Sequence, residues 1–358
     1  MEEIIIKKDE MTSKERMSAF SKGLEIDRIP CMPHMGESMA PLIGITIDEY
    51  YHSADKMADL EEFLFNKLGH DSVGINTTLR GVGEALGSKL VFPKNNISYV
   101  GEPILKDIKD VDNLDVINPF KDGKIPICLE ALSKVVDRLS KVVNVGFNLA
   151  GPLSAASAVI GTDKLLRAMI KNPDKLHTLL DIVTQCNMKI IEAASNLGVG
   201  FSMSDPVSST SLLSIKQYKE FSMPYEKKCV DKVKETTGGG MGIHICGKSK
   251  EIWDLVAETG ITSISIDNIE DVKDAKDILG NKICISGNVK PVETIKNGTI
   301  EEIMNEAKSC IKKGYGSPKG YILRTGCQIP TGTKVENIEA LMNAARIYGR
   351  YPIDISKL

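Results

Sequence analysis

No stretch of this sequence approaches the roughly 18 consecutive apolar residues that a membrane-spanning helix needs, so a transmembrane protein is not expected. The opening "MEEIIIKKDEM" has charges on both sides of a three-residue apolar run. It lacks the long apolar region of a secretory signal, and a cytoplasmic protein is expected. Basic charge is not in excess either. The 45 Lys and Arg stand against 48 Asp and Glu, for a formal net charge of −3. Nucleic-acid binders usually carry a basic face, so that class has no support. The eight cysteines include no CxxC pair, and no low-complexity tract or Pro/Gly/Ser-rich linker divides the chain. Scattered thiols in a reducing compartment stay reduced, and a special one is more often metal-binding or catalytic than bridged.

What is present is 358 residues, 42% of them hydrophobic, enough to bury a substantial core. That length suits two domains or one large α/β barrel. Short apolar runs lie at 29–34, 71–76, 142–148, 200–205, 241–246, 263–267, 282–288 and 321–325. Helical patterns fall at 54–67, 125–140, 162–197, 214–235, 248–259, 270–278, 298–313 and 334–347, with Asp163 and Ser214 as candidate caps. Runs alternating with helices argue for parallel βαβ units. Eight of them match a (β/α)8 TIM barrel, here one domain over 1–358, with an open doubly wound sheet as the alternative. Residues 79–118 exceed an ordinary connection and read as a hairpin turning at Lys94–Asn96, an excursion at the barrel mouth after strand 2. A first helix, about 12–22, is expected to cover the bottom.

The runs finish at His34, Asn76, Asn148, Asp205, His244 with Cys246, Asp267 and Asn288, and Cys327 follows the last run by two residues. Barrel enzymes place their chemistry at the C-terminal ends of strands. Any one of these residues could equally be a cap or turn former; together they outline a polar mouth. In a strand, residues i and i+2 share a face, so His244 and Cys246 of "MGIHICGKS" look the same way. The plainer reading is a core histidine and a core cysteine. The sharper one adds Cys327 of "RTGCQIP" to make a nitrogen and sulfur donor set for zinc, whose catalytic sites keep a fourth position open. Cys284 competes but lies deeper in its strand, and Cys31, Cys128, Cys186, Cys229 and Cys310 read as packing residues. Two thiolates and an imidazole neutralise Zn2+, and a substrate thiol entering there becomes a thiolate near neutral pH. Such a sulfur is a soft nucleophile suited to attack on methyl, whereas hydrolytic zinc sites more often use histidines and carboxylates.

The segments "NLAGPLSAASAVIGTDKLLRAMIKNPDKLHTLLD", "DPVSSTSLLSIKQYKEFSMPYEKK", "GIHICGKS", "SISIDN", "ISGNVKP" and "KVENIEALMNAAR" resemble, in order, the uroporphyrinogen decarboxylase superfamily. The resemblance covers nearly the whole chain and implies a (β/α)8 barrel. His-x-Cys followed by the distant "GCQIP" resembles the methylcobalamin:coenzyme M methyltransferase branch. That branch binds zinc through a His, a Cys and a Cys, matched here by His244, Cys246 and Cys327, and moves a corrinoid-borne methyl group to a thiol such as coenzyme M. "GEALGSKL" also resembles the branch and places Glu84 at the mouth. Glu84 and Asp205 are the catalytic candidates, although Asp205 could instead cap the turn before Pro206. His34, Asn148 and Asp267 are the candidates for the cofactor-binding wall, joined by Glu37. Arg324 either meets an anionic tail or forms an ordinary ion pair.

Three departures bear on function. Residues 31–55 contain no Arg or Lys, although decarboxylases of the superfamily hold the propionates of their tetrapyrrole with arginines there; porphyrinogen decarboxylation is disfavoured. The branch's "GCG" is "GCQ" here, which alters the acceptor pocket. The corrinoid-carrier pattern Asp-x-His-x-x-Gly is missing, since "GIHICG" has Gly242 where Asp would stand. The corrinoid, as methylcobalamin, is therefore expected on a separate corrinoid-binding protein. The alternatives are the first component of a corrinoid-dependent demethylase, a metal-free lyase, and a binder without turnover.

Overall fold

The computed structural model describes residues 6–358, so the first five residues of the charged N-terminal stretch lie outside it. The strands are β1 (Val73–Asn76), β2 (Lys89–Val91), β3 (Tyr99–Glu102), β4 (Val145–Ala150), β5 (Gly200–Ser204), β6 (Met241–Ile245), β7 (Ser263–Ile266), β8 (Cys284–Val289) and β9 (Tyr321–Thr325). Seven of them form one curled parallel sheet in the order β1-β4-β5-β6-β7-β8-β9. β2 and β3 pair antiparallel, which is the expected hairpin within 79–118. Among the described residues no helix is long and apolar enough to cross a membrane.

The expected first strand, 29–34, is a correction. Cys31 makes a single parallel bridge to Leu323. Around it the Met32 amide donates to the Leu323 carbonyl and the Leu323 amide to the Pro30 carbonyl, both at 2.9 Å. On the other side the Asp71 amide donates to the Cys31 carbonyl at 3.0 Å. Pro30 and Pro33 flank the bridge without N–H groups, so no longer ladder can form. The segment nevertheless runs between β9 and the start of β1.

Prolines also divide two expected helices. The pattern over 162–197 is two helices, Thr162–Lys171 and Pro173–Ser195. Pro173 disfavours the helical region at Asn172, which sits at φ −145°, ψ 55°. The pattern over 214–235 likewise divides into Ile215–Phe221 and Met223–Thr237 around Ser222. Ser214 caps the first of these through a reciprocal box with Gln217. Asp163 does not cap its helix; Gly161 holds the cap position and Asp163 lies in the first turn. The helix Pro152–Ile160 was not expected, because "PLSAASAVI" is buried nearly all round and shows no amphipathic stripe.

The helix Ser13–Ser21 closes the end opposite the strand C-termini. Its Arg16 donates to Asp27 and Asp71, both at 2.6 Å, and Arg28 pairs with Asp9 and Asp71 at 2.9 and 2.7 Å. Within the sheet, buried apolar residues such as Phe147, Met203, Ile243, Ile264 and Leu323 pack against the helices. Between them lie glycines and small polar residues facing the interior, among them Gly74, Gly146, Asn148, Ser202 and Ser204. Gly74 and Gly146 are register partners. A Cβ on Gly74 would stand 2.2 Å from the Gly146 carbonyl oxygen, whereas one on Gly146 would meet nothing closer than 3.8 Å. The interior is therefore hollow above the glycines, and a cavity of about 360 Å³ opens toward the strand C-termini.

Candidate metal centre and its cavity

Three soft donors converge in the wall of this cavity. His244 Nε2, Cys246 Sγ and Cys327 Sγ all lie within 4.8 Å of one another. The Nε2–Sγ separation to Cys246 is 2.9 Å, and the two sulfurs are 3.3 Å apart. Ligands that bind one zinc at about 2.0–2.3 Å stand no more than about 4.6 Å from each other, so the set suits a single ion. The period of two along β6 puts His244 and Cys246 on one face. Cys327 arrives from the segment after β9, which is not a neighbour of β6 in the sheet.

Backbone and side-chain contacts aim the donors. His244 Nδ1 lies 3.1 Å from the Ser265 carbonyl and 3.1 Å from its hydroxyl. With Nδ1–H donating to that carbonyl, Nε2 presents its lone pair to the sulfurs, as a metal-binding imidazole requires. Gly326 is needed for space: a Cβ there would stand 2.4 Å from the Asn268 amide nitrogen. The two thiols divide a proton between them. The hydrogen bond from Cys246 brings Cys327 down to about 4, and the same contact pushes Cys246 up. A thiolate beside a thiol and an imidazole is a donor set that suits a soft or borderline cation such as zinc. Cys284 stands apart at the start of β8, and the other five cysteines are buried in packing.

His34 lines the cavity, its ring edge-on to His244 with centroids 5.4 Å apart. Burial, then Arg324 and His244, hold its pKa well below the usual histidine range. Asn148 also lines the cavity and donates from Nδ2 to Ser202 Oγ at 2.8 Å. The remaining candidates have other work. Both oxygens of the fully buried Asp205 accept from the helix Pro152–Ile160: Oδ1 from the Ser154 amide and hydroxyl, Oδ2 from the Leu153 amide. Its carboxylate satisfies the orphan donors of that helix and lies outside the cavity wall. Glu84 pairs with Lys124 at 2.8 Å, and Lys124 sits over the Phe92 ring, so Glu84 supports the hairpin from outside the cavity. Asp267 also lies behind the wall. Its Oδ2 accepts from the Gly247 amide at 2.8 Å and its Oδ1 from the Ile269 amide at 3.0 Å, holding the turn that follows Cys246.

Several wall residues were not singled out from sequence. Glu61 interrupts the apolar stripe Met57, Leu60, Leu64 and Leu68 of its helix, a signal that was readable. Its Oε2 accepts from the Gly74 amide at 3.0 Å, and burial pushes its carboxyl up to about 7. His70, brought down to about 4 by burial, and Arg80 complete that side. Glu37 and Arg324, both singled out from the sequence, also reach the cavity, and the Gln328 of "GCQ" follows Cys327 into its wall.

The family model described as "Uroporphyrinogen decarboxylase (URO-D)" matches residues 12–348. "Methylcobamide:CoM methyltransferase MtbA" of Methanosarcina acetivorans is 27% identical over 345 residues, 95% of this chain and 99% of its own. "Methylated-thiol--coenzyme M methyltransferase" of Methanosarcina mazei is 25% identical, covering 94% of this chain and 90% of its own. "Uroporphyrinogen decarboxylase" of Pseudoalteromonas translucida is 28% identical over 279 residues, 74% of this chain and 75% of its own. A solved "methyltransferase from Methanosarcina mazei" superimposes with a TM-score of 0.81 at 26% identity, over 94% of this chain and 98% of that one. With nearly its whole length matched by the family model, the chain belongs to the uroporphyrinogen decarboxylase family.

Proposed function

We propose that the protein is a zinc-dependent corrinoid methyltransferase, moving a methyl group between a methylated corrinoid on a separate protein and a small thiol. The carrying observation is the convergence of His244, Cys246 and Cys327 in one cavity wall, brought together from non-neighbouring strands. The names of the relatives, methylcobamide:CoM and methylated-thiol methyltransferases, support the corrinoid and the thiol. Residues 1–358 form one (β/α)8 domain in this reading, with 29–34 as its short eighth stave between β9 and β1. Zinc held by the three residues would supply the acceptor sulfur as a thiolate near neutral pH.

The chain's own residues orient that chemistry. Ser265 sets the His244 tautomer, and Asp267 secures the turn carrying Cys246. The polar layer of Asn148, Ser202 and Ser204 offers hydrogen bonds to a substrate, while the hairpin β2–β3 stands beside the opening as a surface for the corrinoid protein. The expected result is one zinc per chain and methylcobalamin-dependent methylation of a thiol. Cys246→Ser should lose most of the zinc and nearly all turnover, with the melting temperature within a few degrees of wild type. Full zinc occupancy in that variant, by elemental analysis, would falsify the ligand assignment. Thiol binding should also release about one proton per site, since ligation needs the thiolate. Binding without release, read by calorimetry in buffers of different ionisation enthalpy, would point to the demethylating direction.

A further inference from the structure

The cavity wall carries the half-buried Arg324 and the buried carboxyl of Glu37, and among the described residues neither joins an ion pair. Arg324 lies on β9, three residues before Cys327, and its Nε is buried with no hydrogen-bond partner. Among the described residues its guanidinium joins no ion pair with a carboxylate; the charge that acts on it is Cys327, against the larger effect of burial. The contrast within the same molecule is informative. The buried Arg16 and Arg28 each meet two or more aspartates. Where a buried guanidinium serves the fold alone, this protein pairs it completely. Glu37 is the reciprocal case. It is 5% exposed, and among the described residues its oxygens accept from neutral donors, the Tyr51 hydroxyl at 3.2 Å and the Asn76 amide at 3.5 Å. A sequestered ionisable side chain outside any ion pair is costly to keep charged unless a ligand supplies the partner. Arg324 and Glu37 lie more than 4 Å apart, so they do not satisfy each other. Both face the cavity that also holds the three soft donors.

We propose that the small-molecule substrate is a zwitterion, with its anionic group at Arg324, its cationic group at Glu37 and its sulfur toward Cys246 and Cys327. The charge assignment rests on the absence of ion pairs at Arg324 and Glu37 among the described residues, and only the sulfur placement rests on the methyl-transfer reading above. The Asn76 and Gln328 amide nitrogens stand 3.5 and 3.4 Å from the point where a Cβ on Gly36 would lie, beside Glu37. The Asn76 nitrogen already reaches Glu37, and the Gln328 amide stands beside it as a further neutral hydrogen-bonding group. A cavity of about 360 Å³ accommodates a molecule of amino-acid size, at the lower end of the usual ligand range. The class is therefore a small amino thiol acid, or its S-methyl form.

The test uses the full-length protein and probes without sulfur, so that it stands apart from methyl transfer. Calorimetric titrations compare taurine and homoserine as zwitterions with ethanesulfonate and butyrate as anions and ethanolamine as a cation. A zwitterion should bind at least tenfold more tightly than either singly charged class. Glu37→Gln should bring zwitterion affinity down to that of the anions while leaving the anions unweakened. Arg324→Met should weaken zwitterions and anions alike. Anions binding as tightly as zwitterions in wild type overturns the proposal without any variant, as does failure of both zwitterions to bind. If the charge preference holds and no thiol is methylated, the cavity assignment survives and the methyl-transfer reading fails.

Discussion

At the scale of single residues, the site depends on atoms that hold the donors still. Asp267 is the clearest. Read from sequence as part of the binding wall, it lies behind it and fixes the Gly247 and Ile269 amides. Residues that orient metal ligands typically change metal affinity about 10–100-fold when replaced. Asp267→Asn keeps one carbonyl acceptor and loses the second, so under the proposed zinc function the affinity for zinc should fall about tenfold, the low end of that range. Competition against a chromogenic chelator measures this; unchanged affinity would place the turn's rigidity elsewhere. His244 and Cys246 were legible as a pair because strand geometry alone puts i and i+2 on one face. The job of Asp205 was not, since its partners Leu153 and Ser154 are some fifty residues away and appear only on folding.

At the scale of elements, the polar layer behind β5 joins three helices. Asp205 caps Pro152–Ile160, and Glu226 accepts from the Tyr218 hydroxyl at 2.7 Å and from Ser222 Oγ at 3.0 Å. Burial is the main cause raising both carboxyls, Asp205 to about 6 and Glu226 to about 7. An acid whose folded pKa is raised binds more protons folded than unfolded. Its stability contribution is complete below the ordinary carboxyl range and is lost as pH rises through the folded value. The melting temperature should therefore fall between about pH 5 and pH 8, and Glu226→Gln should flatten that fall. Differential scanning calorimetry across the window decides it; an identical slope in the variant would assign the pH dependence to other groups. The hairpin makes a separate prediction. Lys89 pairs with Glu102 at 2.8 Å and Lys94 is exposed at its turn. Replacing both lysines by Glu should raise KM for the protein-bound methylcorrinoid more than for free methylcobalamin. Equal effects on the two would remove the hairpin from the docking surface.

At the scale of the whole molecule, the two ends of the sheet are built for different tasks. One end is closed by the fully paired Arg16, Arg28, Asp27 and Asp71. The other opens onto a hollow lined by small residues, where Gly146 leaves open space and Gly74 lets its strand lie close against the Gly146 backbone. These two glycines should respond oppositely to Ala. At Gly146 the added Cβ has room, and stability should change by less than about 1 kcal/mol. At Gly74 it would meet backbone at 2.2 Å, for a loss of about 1–3 kcal/mol or more, as in overpacked cores. Denaturant melts of the two variants compare them directly; equal losses would mean that the sheet yields where the two strands touch.

The sequence by itself determined the alternation of strands and helices, the hairpin after the second run, and the facing of His244 and Cys246. Each follows from periodicity or turn chemistry within a few residues of chain. It also held the family, because motifs in order survive where overall identity is low. Only the tertiary structure decided what depends on distant partners. Pro30 and Pro33 reduce the first expected strand to one bridge at Cys31, whose partner Leu323 lies at the other end of the chain. Glu84 turned outward to Lys124, and Asp205 turned to a neighbouring helix. Among the described residues Arg324 and Glu37, inside one cavity, join no ion pair. Whether a carboxylate or guanidinium is paired depends on what lies within about 4 Å in space, and no local pattern of residues carries that distance.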